Sequence, residues 1–99
     1  MSQHFGKEKF HMAMLDLVAP GDIHARVSAA LAQHLWHVDA EQDMPPELGN
    51  ELNQLRQSVS TGGGHVYEAI GQLSETEVEK LAQKIVTLYE KVLSSGKTD

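Results

Sequence analysis

HARVSAALAQHLWHVDAE, residues 24–41, is the segment from which the architecture of this chain is inferred most directly. A step of 100° per residue gathers one set of apolar side chains on a single helix face. This core stripe consists of Ile23, Val27, Ala30, Leu31, Leu35 and Val38. We therefore predict a helix that begins after the N-cap Asp22 and runs to about Ala40. His34 falls within the core stripe, where we expect a polar side chain with a polar partner inside a helix interface.

The opposite side of this helix is also apolar and carries no charge. We name it the Ala/Trp stripe, and it consists of Ala25, Ala29, Ala32, Trp36 and Ala40. One interpretation is a central helix that neighbouring helices cover on both sides. The other is an exposed stripe that binds a protein partner or a second copy of the chain, because Trp is enriched among interface hot spots. We predict an interaction site at the Ala/Trp stripe, with a homodimer as one form of it.

Helical spacing continues on both sides of this segment, between groups of helix breakers. Further helices are predicted over residues 6–19, from about 46 to 59, over 66–73 and over 75–94. Pro46 suits the first turn of its helix, whereas Gly49 is expected to delay that helix until about Asn50. The sequence thus predicts an all-α fold, a single helical domain over residues 1–99 that forms a small bundle. It has four main helices and one short helix, with about 1–5 and 95–99 frayed.

Composition excludes several classes of function. The 99-residue chain has no cysteine, so disulfides and thiolate metal sites are excluded. Its net charge is −6 with only eight Lys and Arg, which disfavours nucleic-acid binding. A DNA-binding pair made of the short helix and the last helix is also disfavoured, because one residue between them is too short for the usual turn. With no apolar run near 20 residues, we expect a cytoplasmic protein that binds neither nucleic acid nor membrane.

Histidines supply the alternative function. His34, His37 and Glu41 are spaced so that a continuous helix would place all three side chains on one side. Two imidazoles and a carboxylate are suitable ligands for Zn²⁺, Fe²⁺ or Ni²⁺. This pattern predicts a metal-binding or metal-sensing bundle as the second hypothesis. The chain has no His-Glu-x-x-His or Glu-x-x-His motif to strengthen it.

No catalytic or cofactor-binding residue is predicted. The glycines at 62–64 lack the lysine and the preceding strand of a phosphate-binding loop, and they are interpreted as a flexible connection. Neither a nucleophile with its base nor a pair of carboxylates is fixed by the spacing. The sequence therefore favours a non-enzymatic interaction module, homo-oligomeric or adaptor-like, that requires no cofactor.

Overall fold

A computed structural model describes residues 2–59 and 66–95, and within these ranges the chain is all-α, as predicted, with no strand. The helices are α1 (Ser2–Leu17), α2 (Ile23–Ala29), α3 (Pro46–Ser58), α4 (Val66–Gly71) and α5 (Glu75–Ser95). A π-helical turn (Ala30–His34) and a 3₁₀ turn (Leu35–His37) continue α2 without a break. We call residues 23–37 the second helix. The predicted glycine connection at 62–64 lies outside the described residues, and so do residues 96–99 of the end expected to fray, 95–99.

Three helix starts are where the local sequence signals place them. The carboxylate of Asp22 accepts the backbone N–H of His24 at 2.8 Å, which makes Asp22 the N-cap of α2. At the start of α5, the Ser74 hydroxyl accepts the N–H of Glu77 at 3.1 Å, and the Glu77 carboxylate accepts the N–H of Ser74 at 2.9 Å. Helix α3 begins at Pro46, where a missing N–H costs nothing.

The expected delay of α3 by Gly49 is wrong, because α3 is helical from Pro46 onwards. Gly49 instead marks a close approach between α3 and the preceding loop. A Cβ added at Gly49 would collide with the carbonyl oxygen of Ala40 and lie 3.1 Å from its carbonyl carbon. Gly6 in α1 is similar, since a Cβ there would lie 2.5 Å from the carbonyl oxygen of Asp43. Both glycines let a helix backbone touch the loop at residues 38–45.

The second helix is shorter and less regular than predicted. It ends at His37, and Val38 has an extended conformation with φ −81° and ψ 129°. The π-helical turn holds an extra residue, so residues that follow it are rotated relative to a regular helix. The core stripe is nevertheless confirmed: five of its members are buried and Ile23 is half-buried against them.

One hydrophobic cluster connects all the described helices. The second helix packs against α1, α4 and α5, whereas α3 packs mainly on α5. Phe10 of α1 is fully buried and stacks on Tyr89 of α5, with 6.2 Å between the ring centroids. The second helix is therefore central, and α1 presents its other side to solvent. None of the described helices combines the length and the apolar composition needed to cross a lipid bilayer.

Candidate interaction site

The structure divides the Ala/Trp stripe. Ala25 and Trp36 are exposed, and Trp36 keeps 38% of its surface accessible. Ala29 and Ala32 are half-buried. Ala40 lies beyond the end of the helix and packs against the core. The five residues therefore do not form one continuous helix face, and Trp36 is the large side chain that remains available at this surface.

Trp36 is held in place by Arg56 of α3. The guanidinium of Arg56 lies 6.0 Å from the centroid of the indole ring, within the range of a cation–π contact. Its Nη2 also donates to the carbonyl oxygens of Leu35, at 3.1 Å, and Val38. These carbonyls belong to the end of the second helix, so the guanidinium acts as a C-cap supplied by another helix.

The sequence did not reveal Arg56 as a site residue, because its partners are distant along the chain. Burial lowers the pKa of the Arg56 guanidinium from its usual value, and the negative charge of Asp39 partly offsets this effect. Arginine still stays protonated at physiological pH. The indole of Trp36 therefore always rests beside a fixed positive charge.

Helix α1 exposes a second set of large apolar side chains. Phe5, Met12 and Leu15 are all more than a third exposed, and their spacing of 7 and 3 residues puts them on one side of the helix. We call these three residues the outer α1 face. Val18, just beyond the end of α1, is 79% exposed. The 3₁₀ turn that carries Trp36 packs against α1.

His34 and Asp16 also join these two helices. Nε2 of His34 lies 2.8 Å from Oδ2 of Asp16, and their side chains are 13% and 28% exposed. This contact is an ion pair when the imidazole is protonated. The other ring nitrogen of His34, Nδ1, is buried, and no described group hydrogen-bonds to it. The contact with Asp16 Oδ2 is close but does not have the geometry of a hydrogen bond. The expected polar partner of His34 within a helix interface is thus Asp16.

We expect the His34–Asp16 contact to contribute about 1 kcal/mol of coupling energy to folding, because the pair is mostly buried. A double-mutant cycle with His34→Ala and Asp16→Ala, followed by urea unfolding, measures this energy. The matched comparison is the exposed pair Lys91–Glu51, with 3.0 Å between Nζ and Oε1. Its coupling is expected to stay below about 0.5 kcal/mol. Equal coupling energies in the two cycles would contradict a special role for the buried pair.

The geometry required by the predicted metal site is not observed. The helix ends at His37, so Glu41 lies in the following turn and no longer shares a helix side with His34. Among residues 2–59 and 66–95, no three His, Asp or Glu side chains are grouped closely enough to hold a metal ion. His34 is engaged by Asp16 instead.

Comparisons of this chain with protein-family models, with curated proteins and with solved structures gave no match.

Proposed function

We propose that this chain is a non-enzymatic helical interaction module that binds a protein, in the first instance a second copy of itself. Its binding surface consists of the outer α1 face together with Trp36. One observation carries the proposal. Among the described residues, eight large apolar side chains are at least 36% exposed, and five of them lie on α1, directly after it, or at Trp36. Clustered exposed apolar residues are typical of interaction surfaces.

The composition of this surface supports the proposal. Its centre offers Phe, Met and Trp, which are enriched in the cores of protein interfaces, whereas charged residues are depleted there. Charged and polar side chains lie among these apolar ones: Glu8 and His11 are exposed, and the ammonium of Lys9 is 5.3 Å from the ring centroid of Phe5. Such a surface combines apolar contact with polar groups, as protein interfaces do.

Self-association also follows from the symmetry of an apolar helix face. In a twofold dimer the same patch of both copies meets, so the patch has to be complementary to itself. The apolar members of the row meet that requirement, because apolar contact has no sign or direction. The exposed Glu8 lies in the same row, between Phe5 and Met12, and adds a carboxylate to this surface. The remaining partly exposed alanines, Ala29 and Ala32, permit a close approach beside Trp36.

The test is the solution mass of the protein over a range of concentrations, measured by light scattering after size exclusion. We expect a dimer that Leu15→Glu and Trp36→Glu each weaken by more than about 30-fold, since hot-spot residues contribute at least about 2 kcal/mol. Circular dichroism should show unchanged helical content. The matched control is Val86→Glu, which places the same charge on a comparably exposed apolar residue of α5.

Val86→Glu should remain dimeric. Its dissociation to the same extent as Leu15→Glu would contradict the assignment of the surface to α1. A wild-type chain that is monomeric at every concentration would overturn self-association itself.

A further inference from the structure

A groove runs between α3 and α5, on a part of the molecule that the proposed dimer surface does not use. Its volume is about 640 Å³, and Leu55 and Leu88, both buried, form its floor. Neutral polar side chains form much of the rest: Gln54 and Ser58 from α3, Gln83 and Thr87 from α5. These four side chains offer hydrogen-bond donors and acceptors without adding charge.

Two lysines give the groove its charge. Lys80 and Lys84 both line it, and they are one helical turn apart on the same side of α5, about 5.4 Å along the axis. Both side chains are exposed. Neither lysine has a hydrogen bond or an ion pair with any residue in the described part of the chain.

Two acidic side chains of α3 and α5 near this pair are already engaged. Glu51, on the α3 wall, binds Lys91 through both carboxylate oxygens, at 3.0 and 3.2 Å. Glu77, one turn before Lys80, accepts the backbone N–H of Ser74 at the start of α5. The positive charges of Lys80 and Lys84 are therefore available to a molecule from outside.

Three other cations of the described residues have contacts within the molecule. Arg26 donates to the carbonyl oxygen of Leu17 at 2.7 Å, and Arg56 caps the second helix. Lys9 lies over Phe5. The chain has a net charge of −6, but the two unpaired lysines beside this groove make the local charge positive. This local positive charge favours a negatively charged ligand at this position.

We propose that the α3–α5 groove binds an acidic amphipathic segment of a partner protein, with two carboxylates on Lys80 and Lys84. Its apolar side chains would lie on the aliphatic parts of the side chains that line the groove, above the buried Leu55 and Leu88. The groove is half-open to solvent, whereas small-molecule pockets bury most of their ligand, so a peptide segment fits this surface better than a small ligand. Glutamates four residues apart on a helical peptide match the one-turn spacing of the lysines. Such a segment would lie along α5 as amphipathic helices lie in grooves.

The experiment is a fluorescence-anisotropy titration with a labelled helical peptide of about 14 residues, bearing leucines on one face and glutamates four residues apart beside it. Binding should weaken at least tenfold in the double variant Lys80→Gln/Lys84→Gln. It should also weaken when salt rises to about 1 M, where screening is nearly complete. A peptide with Gln in place of Glu should bind as weakly as the double variant binds the original peptide.

The matched control is Asn53→Asp/Gln57→Glu, which also lowers the net charge by two on exposed residues of α3 that do not line the groove. We expect this variant to bind the peptide within about twofold of the wild type. An equal loss in the control would show a general charge effect and overturn the proposal. Unchanged affinity in the lysine variant, or full displacement of the peptide by millimolar inorganic phosphate, would overturn it as well. Because the readout is peptide binding by groove variants, its failure is separate from a failure of dimerisation through α1.

Discussion

Gly49→Ala is expected to destabilise the fold by about 3 kcal/mol, at the upper end of what overpacking costs. Alanine has a helix propensity about 1 kcal/mol better than glycine, so a helix that made no further contact would gain stability. In this fold the new Cβ would collide with the carbonyl oxygen of Ala40. The collision outweighs the gain in propensity, because the atom opposite belongs to the backbone.

The loop that carries Ala40 is not free to move away. Asp39 Oδ1 accepts the N–H groups of Glu41 and Gln42 at 2.8 and 3.0 Å. The backbone N–H of Asp39 donates to Asp43 Oδ2, and the N–H of Asp43 donates to the carbonyl oxygen of Asp39, both at 2.8 Å. Relief of the collision would require these four hydrogen bonds to be distorted. We therefore expect α3 to shift against the core instead.

Urea and thermal unfolding followed by circular dichroism measure the effect of Gly49→Ala. A loss of 3 kcal/mol lowers the midpoint temperature by roughly 10–20 °C in a domain of this size. Gly71→Ala is the control, because Gly71 is helical and exposed and a Cβ there meets nothing within 4 Å. That variant should gain a few tenths to about 1 kcal/mol. Stabilisation by both substitutions would show that α3 and the loop are not in close contact.

Helix starts were predictable because their signals are local. Asp22 and the Ser74–Glu77 capping box each satisfy backbone groups within three residues, so the sequence contains the whole interaction. The core stripe was predictable for a similar reason, since its members are related by the helical period. The packed position of His34 followed from the same pattern, although its partner Asp16 did not.

The end of the second helix was not predictable, because it depends on contacts distant in sequence. The residues from Leu35 to Ala40 continue a helical pattern, but Arg56 binds the last carbonyls and Gly49 receives the loop that follows. Helix propensity predicts that Gly49 destabilises α3, whereas in the fold the absence of a Cβ lets the backbone of α3 approach the loop closely. The π-helical turn at Ala30–His34 also departs from the regular 100° step per residue on which the sequence prediction was based.

The candidate interaction surface was predicted in part. The sequence identified Trp36 as a side chain pointing away from the core, and 38% of its surface is exposed. It assigned the surrounding alanines to the same face, but Ala40 packs in the loop because the helix stops earlier. The sequence of α1 is apolar on two sides, with Met12 and Leu15 opposite Phe10 and Ala13. Which of these two sides of α1 stays exposed depends on which one packs against the core, and only tertiary packing determines this.

Arg56→Met is expected to cost about 2–3 kcal/mol, because it keeps the apolar stem but removes the Nη2 donor from the carbonyl oxygens of Leu35 and Val38. The Leu35 carbonyl still accepts the backbone N–H of Val38 at 3.3 Å, so the Val38 carbonyl is the acceptor that loses its donor. An acceptor left unsatisfied on burial costs about 1–3 kcal/mol, and loss of the cation–π contact with Trp36 adds about 0.5 to 1 kcal/mol. Arg56→Lys should recover only part of this loss, since an ammonium lacks the planar fork of the guanidinium. Urea unfolding gives the free energy of each variant.

Trp36 is the single tryptophan of the chain, so its fluorescence reports on the same site. In Arg56→Met the indole loses the guanidinium beside it, and we expect its emission to shift towards that of solvent-exposed tryptophan. The matched comparison is Arg26→Met, which removes a hydrogen bond to one carbonyl, that of Leu17, and should cost about 1 kcal/mol. Equal losses in the two variants would contradict the double capping role of Arg56.

The same substitution connects stability with the proposed dimer. If Arg56 fixes Trp36 for binding, Arg56→Met should weaken self-association as well as folding, because a freed indole has to be ordered again in the interface. We expect a loss of about fivefold in dimer affinity, measured by light scattering where the variant is still fully folded. Arg26→Met should leave dimer affinity unchanged. Unaltered association in Arg56→Met would show that Trp36 needs no fixed guanidinium to bind.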